Sequence, residues 1–145
     1  MMKLARVFAA FLLAISLSLS AAPTFAQATP EPKMRMFINL SSVDPHRVAL
    51  AMFIATSQAE AGVPVAMLLT VDAVRMAVKT PHPSLAGGRA DLDNAIKSGV
   101  RIIINPRSLM YHGIVDADLM DGVQKGSPKL LRETLSLPNT VTLSW

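Results

Sequence analysis

Apolar positions in this chain come in short runs, each closed by proline, glycine or a polar pair. Met34 to Leu40 is one such run, centred on Phe37-Ile38 and followed by Ser41-Ser42, and it predicts a strand. Helix signals follow at once: Ser42 or Asp44 as a cap, Pro45 in the first turn, the apolar stretch Val48 to Ala55, and a stop at Gly62. This helix carries apolar residues on two sides, Val48, Met52, Ala55 and Ala59 along one stripe and Leu50, Phe53 and Ile54 along another. A helix of that kind is covered twice, once by its own sheet and once by something else.

Val63 to Thr70 is nearly all apolar, as in a strand buried on both faces of a parallel sheet. Asp72 to Val78 reads as a short helix, interrupted by Pro81-His82-Pro83 and a flexible Leu85-Ala86-Gly87-Gly88. A helix from Arg89 or Ala90 to Ser98 ends at Gly99, and Val100 to Asn105 forms a third buried strand around Ile102-Ile103-Ile104. Past Pro106 come two short helical pieces, Ser108 to His112 and Asp116 to Val123. Ser127-Pro128 then starts a helix to Leu135, and Thr140 to Trp145 alternates as a last strand. Strands alternating with helices predict βαβ units, hence an α/β fold built on a three-layer open, mostly parallel sheet with helices on both faces. Ligands of such sheets bind beyond the carboxyl ends of the strands, which directs attention to the loops Asn39 to Asp44, Thr70 to Asp72 and Asn105 to Ser108.

The first residues follow a different pattern. Lys3 and Arg6 precede an apolar run from Val7 to Leu19, and small residues lead to Pro23-Thr24-Phe25-Ala26-Gln27-Ala28. That is the layout of a secretory signal peptide, residues 1–28, cut after Ala26 or Ala28. The run is shorter than the roughly 20 residues a bilayer span takes, and Ser16, Ser18 and Ser20 dot it, so stable membrane insertion is not expected. A Pro-rich spacer, 29–33, then leads into one domain, 34–145, and the expected location is periplasmic or secreted.

Removing the signal changes the charge. It holds two of the 14 basic residues and none of the 10 acidic ones, leaving 12 against 10, a net of +2. With no run of neighbouring Lys or Arg and few aromatics, the chain has no electrostatic footprint for nucleic acid. Cysteine is absent altogether. An exported domain of this size is then held by its apolar core instead of disulfides, and thiol nucleophiles, thiol redox cycling and cysteine-ligated metal are excluded.

The order of elements and the last third of the chain resemble the DsrE-like (DsrE/DsrF/Tus-type) family of small sulfur-transfer proteins, which have a flavodoxin-like sheet. The stretch that carries the resemblance is Gly99-Val100-Arg101-Ile102-Ile103-Ile104-Asn105-Pro106-Arg107-Ser108-Leu109, with Gly113-Ile114, Asp118-Leu119 and Gly122-Val123 after it. The family typically has a strand, a cysteine followed by proline, often a second cysteine three positions on, then Gly-Ile, Asp-Leu and Gly-Val. Here Asn105 stands at the first cysteine position and Ser108 at the second. The resemblance therefore implies the fold and the family's usual trimers or hexamers, while the sulfur relay lacks its atom.

Asn105, Arg107 and Ser108 combine an acceptor, a cation and a hydroxyl at a strand's carboxyl end, a set suited to an oxyanion such as carboxylate, sulfate or phosphate. Asn39 and Ser41 lie in the neighbouring loop and join the candidate ligand-binding set. The competing account makes Asn105 and Ser108 a turn and a cap and Arg107 a solvated side chain. His46, His82 and His112, with seven Met in the mature chain, are soft enough ligands for copper, but their spacings carry no metal motif. Ser108 and His112 are four apart, so on one helix they share a face, the minimum for a nucleophile and base. These readings converge on an exported DsrE-like protein without the sulfur-carrying cysteine, a non-catalytic, homo-oligomeric binding or accessory protein with no cofactor and no metal. The alternatives are a small-anion-binding protein using the Asn105 to Ser108 loop or, more remotely, a metal-binding protein or hydrolase. The mature protein is expected to begin at Gln27 or Thr29, which mass spectrometry of exported material checks; membrane-bound protein still carrying residues 1–26 contradicts it.

Overall fold

The computed structural model describes residues 33–145; the expected signal segment and most of the spacer lie outside the described residues. Five strands, β1 (Arg35–Leu40), β2 (Val65–Leu69), β3 (Arg101–Ile104), β4 (Val123–Lys125) and β5 (Thr140–Ser144), form one sheet in the order β4-β3-β2-β1-β5. Every pairing is parallel. Four helices connect them: α1 (Pro45–Glu60), α2 (Ala86–Lys97), α3 (Pro106–Tyr111) and α4 (Pro128–Leu135).

Side chains alternate across the pleat, so each strand feeds two cores. Met36, Ile38 and Leu40 of β1, Met67 and Leu69 of β2, and Ile102 and Ile104 of β3 face Val48, Ala51, Met52 and Ala55 of α1 and Leu92 and Ala95 of α2. Phe37, Ala66, Leu68 and Ile103 form the opposite face, against which Leu130 and Leu131 of α4 pack. The three-layer, flavodoxin-like arrangement is thus present, with α1, α2 and, through Leu109, the short α3 packed into the larger core and α4 on the other face.

The starts of the helices follow from local chemistry. Asp44 caps α1 by accepting from the Arg47 amide, with Pro45 in the first turn. Ser127 caps α4 in the same way through the Leu130 amide, ahead of Pro128. Helix α2 begins at Ala86, earlier than the sequence suggests, so Gly87-Gly88 is helical and not a flexible loop. A Cβ on Gly88 would sit 2.6 Å from Met76 Sδ and 3.2 Å from Val48 Cγ1. The glycine is there for close approach of α2 to its neighbours.

The short helix expected from Asp72 to Val78 is present as a 3₁₀ helix, Val71–Met76. One expectation needs correction. The piece expected to be helical from Asp116 to Val123 is a single 3₁₀ turn, Asp116–Asp118, and Val123 belongs to the edge strand β4. Three residues are too few for a period-2 pattern to show. What makes β4 a strand is its pairing, Ile102 with Val123 and Ile104 with Lys125, entered through Gly122 at φ +82 and closed by the Gly126 amide on the Ile104 carbonyl.

Ile103 is fully buried at the centre of the thinner core. Ile103→Ala is expected to lower stability by about 2–5 kcal/mol in chemical denaturation, since α4 alone must close over the gap.

Candidate functional site

The carboxyl ends of β1, β2 and β3 bring the three expected loops together. The Thr70 hydroxyl after β2 donates to Asn39 Oδ1 at 3.1 Å, and its amide donates to the Leu40 carbonyl. The Asn105 amide after β3 reaches the Leu69 carbonyl at 3.0 Å. Ser41 donates from both its amide (2.9 Å) and its hydroxyl (2.6 Å) to the Trp145 carbonyl, while the Trp145 amide returns to the Asn39 carbonyl. Asn39 and Ser41 therefore tie β5 and the β2 loop to β1.

Asn105 caps α3, its Oδ1 accepting from the amides of Arg107 (2.9 Å) and Ser108 (3.2 Å). Those are the amides an oxyanion would use, and the side chain at the head of the loop already occupies them. Ser108 Oγ accepts from the Val71 amide at 2.9 Å. Arg107 is exposed and makes no ion pair or side-chain hydrogen bond among the described residues. Of the five expected site residues, four are bound into the scaffold and Arg107 alone is uncommitted.

At the centre of the cluster stands a residue sequence reasoning passed over. Val71 has φ +49 and is 56% exposed. A β-branched side chain in the left-handed region costs about 1–2 kcal/mol, and it stays there only when its surroundings hold it. Ser108 takes its amide, and His112 Nε2 donates to its carbonyl at 3.1 Å. His112 Nε2 also lies 3.4 Å from Asp72 Oδ1, and Tyr111 stacks edge-on to its ring. Nothing in the sequence announces this brace, because Val favours extended backbone and Val71 lies 37 and 41 positions from Ser108 and His112 along the chain.

The brace also decides the Ser108–His112 pairing. Both sit on or just after α3 as their spacing implies, but the His112 ring turns to Val71 and Asp72 and the Ser108 hydroxyl to the Val71 amide; only the His112 amide reaches Ser108, at its backbone carbonyl (3.1 Å). A serine hydroxyl without a base is a poor nucleophile. His82 and His112 line a shallow cavity of about 200 Å³ with Arg75, while His46 lies apart in the first turn of α1. Among the described residues no group of three or more His, Asp or Glu gathers as a ligand set.

The segment from Thr80 to Gly88, a 3₁₀ turn at Pro83–Leu85 running into α2, sends Leu85 into the larger core. It does not cap the outer side of α1, where Phe53 remains 69% exposed and Leu50 42%.

No protein-family model matches this sequence, and no curated protein sequence does. Solved structures do match its fold. The protein of unknown function MTH1491 from Methanobacterium thermoautotrophicum superposes with a TM-score of 0.60 at 18% identity, covering 76% of this chain and 99% of its own. The ychN protein from E. coli gives a TM-score of 0.61 at 18% identity, covering 77% of this chain and 99% of its own. The architecture is that of these two α/β proteins. At this identity the likeness defines the fold and leaves function to the residues themselves.

Two substitutions test the brace. Ser108→Ala is expected to cost about 1 kcal/mol by removing the acceptor for the Val71 amide. Val71→Gly is expected to raise stability by roughly 0.5–1 kcal/mol, since relief of the left-handed strain exceeds the entropy glycine adds to the unfolded chain. Denaturant unfolding of both variants reads the difference; a destabilising Val71→Gly contradicts the account.

Proposed function

We propose that this protein is an exported, DsrE-like binding or accessory protein that works as a homo-oligomer, a trimer or hexamer, and carries no sulfur. The observation that carries the reading is the outer face of α1. Phe53 and Leu50 point away from both cores, and apolar groups exposed together mark an interface. Burying each contributes roughly 1.5–3 kcal/mol before the cost of association.

The site supports the non-catalytic half of the proposal. Asn105 and Ser108, at the positions where the DsrE-like family carries thiols, act here as a helix cap and a backbone acceptor. Neither group binds persulfide sulfur, and the chain contains no cysteine to do so. Oxyanion binding at this loop rests on Arg107 alone, since the amides beside it are taken by Asn105. No helix among the described residues is long and apolar enough to cross a membrane.

Light scattering on the mature chain is expected to give a defined oligomer at micromolar concentration, and Phe53→Glu to shift it to monomer with the helical circular dichroism retained. A monomeric native protein overturns the reading.

A further inference from the structure

At the opposite end of the sheet, where the strands begin, a cavity of about 230 Å³ opens on the face covered by α4. Its charged lining is Arg35, the first residue of β1, and Arg101, the first of β3. Pleat and register place both on the same side of the sheet, flanking Ala66 of β2, which pairs with Phe37 on one side and Arg101 on the other. Two strand spacings, about 10 Å, separate the two strands, and Arg35, two residues before Phe37, lies diagonally across β2 from Arg101, both bordering the one cavity.

The two guanidinium groups are held differently. Arg101 is pinned by Thr134 of α4, whose buried hydroxyl accepts from Nη2 at 2.6 Å and donates to the Leu130 carbonyl at 2.8 Å. Arg35 has a buried Nε with no hydrogen-bond partner. Neither arginine forms an ion pair among the described residues, and no carboxylate lines the cavity. A buried guanidinium donor left unpaired is costly, and folded proteins rarely keep one without a use. The remaining wall on this face, Pro64, Ala66, Gly99 and Leu137 with Thr140, is mostly apolar, while Met36 and Val65 border the cavity with their side chains turned into the larger core.

We propose that this cavity binds a small organic carboxylate, its head group between Arg35 and Arg101 and a short aliphatic body against the apolar wall. Guanidinium groups match a planar carboxylate through paired, charge-assisted hydrogen bonds. A cavity smaller than those that hold drug-sized ligands sets the length of the body at a few carbons. The site lies at the far end of the strands from the Asn105 to Ser108 loop and uses neither that loop nor the outer face of α1, so it stands apart from the proposal of self-association.

The test uses the mature chain and hexanoate, with sulfate and hexan-1-ol as comparators, read by amide chemical shifts, thermal melting and light scattering. Hexanoate is expected to bind saturably, to shift the amides of Arg35, Ala66 and Arg101, and to raise the melting temperature. Arg35→Met and Arg101→Met are each expected to weaken it at least tenfold. Arg35→Met is further expected to melt higher than the native protein when no ligand is added, because it removes the unpaired buried donor; an arginine kept for structure lowers it instead. The proposal fails if hexanoate moves no amide near the cavity, if binding survives Arg35→Met, or if sulfate or hexan-1-ol binds as tightly as hexanoate. Should Arg35→Met not fold, the native titration and Arg101→Met decide the matter by the same criteria. Light scattering of the same samples reports self-association separately, so failure of one proposal is distinguishable from failure of the other.

Discussion

The crossing from β4 to β5 constrains the rest of the domain. β4 pairs at one edge of the sheet and β5 at the other, and both run parallel to the strands between them. The chain must therefore traverse a whole face between Lys125 and Thr140, and it does so with the eight residues of α4 and a short turn. Leu130 and Leu131 close the second core on the way, over Phe37, Leu68 and Ile103. Thr134 reaches Arg101, and the Arg35 amide meets the Asn139 carbonyl. At the end of β5 the chain delivers Trp145 to Ser41 and Asn39. A single crossover thus builds the wall of one cavity and ties together the loops at the other end of the strands.

The two ends of the sheet differ in how their polar groups are used. At the carboxyl ends, Asn39, Ser41, Thr70, Asn105 and Ser108 all hold backbone or one another, and a strained Val71 sits braced among them. A loop in that state is rigid and has little hydrogen-bonding capacity left to offer a ligand. At the amino ends, two arginines share a cavity without a counter-ion among the described residues, and one keeps a donor unpaired. The uncommitted cation of the carboxyl ends, Arg107, is exposed and met by solvent, whereas the uncommitted donor of the amino ends, Arg35 Nε, is buried and has no such compensation.

Much of the architecture was legible in the chain because it rests on local rules. The near-continuous apolar runs of β2 and β3 can be satisfied in a sheet covered on both faces, and the Asp44-Pro45 and Ser127-Pro128 pairs start helices wherever they occur. The absence of cysteine removed thiol chemistry without any reference to shape. The helix boundary at Ala86 was hidden because glycine reads as a breaker until a neighbour such as Met76 Sδ is known to need its space.

The sequence by itself thus determined the alternation of strands and helices, the caps, the excluded chemistry and the three loops at the carboxyl ends, all of which depend on residues near one another in the chain or on residue types alone. Tertiary structure decided the rest. The three residues of β4 are a strand because β3 lies beside them, and His112 is a strut for Val71 because the β2 and β3 loops meet. Arg35 and Arg101 are 66 positions apart in the numbering and share a cavity through the register of β1, β2 and β3. Pairing between distant strands leaves no mark on local hydrophobic periodicity, so no pattern along the chain could announce these three.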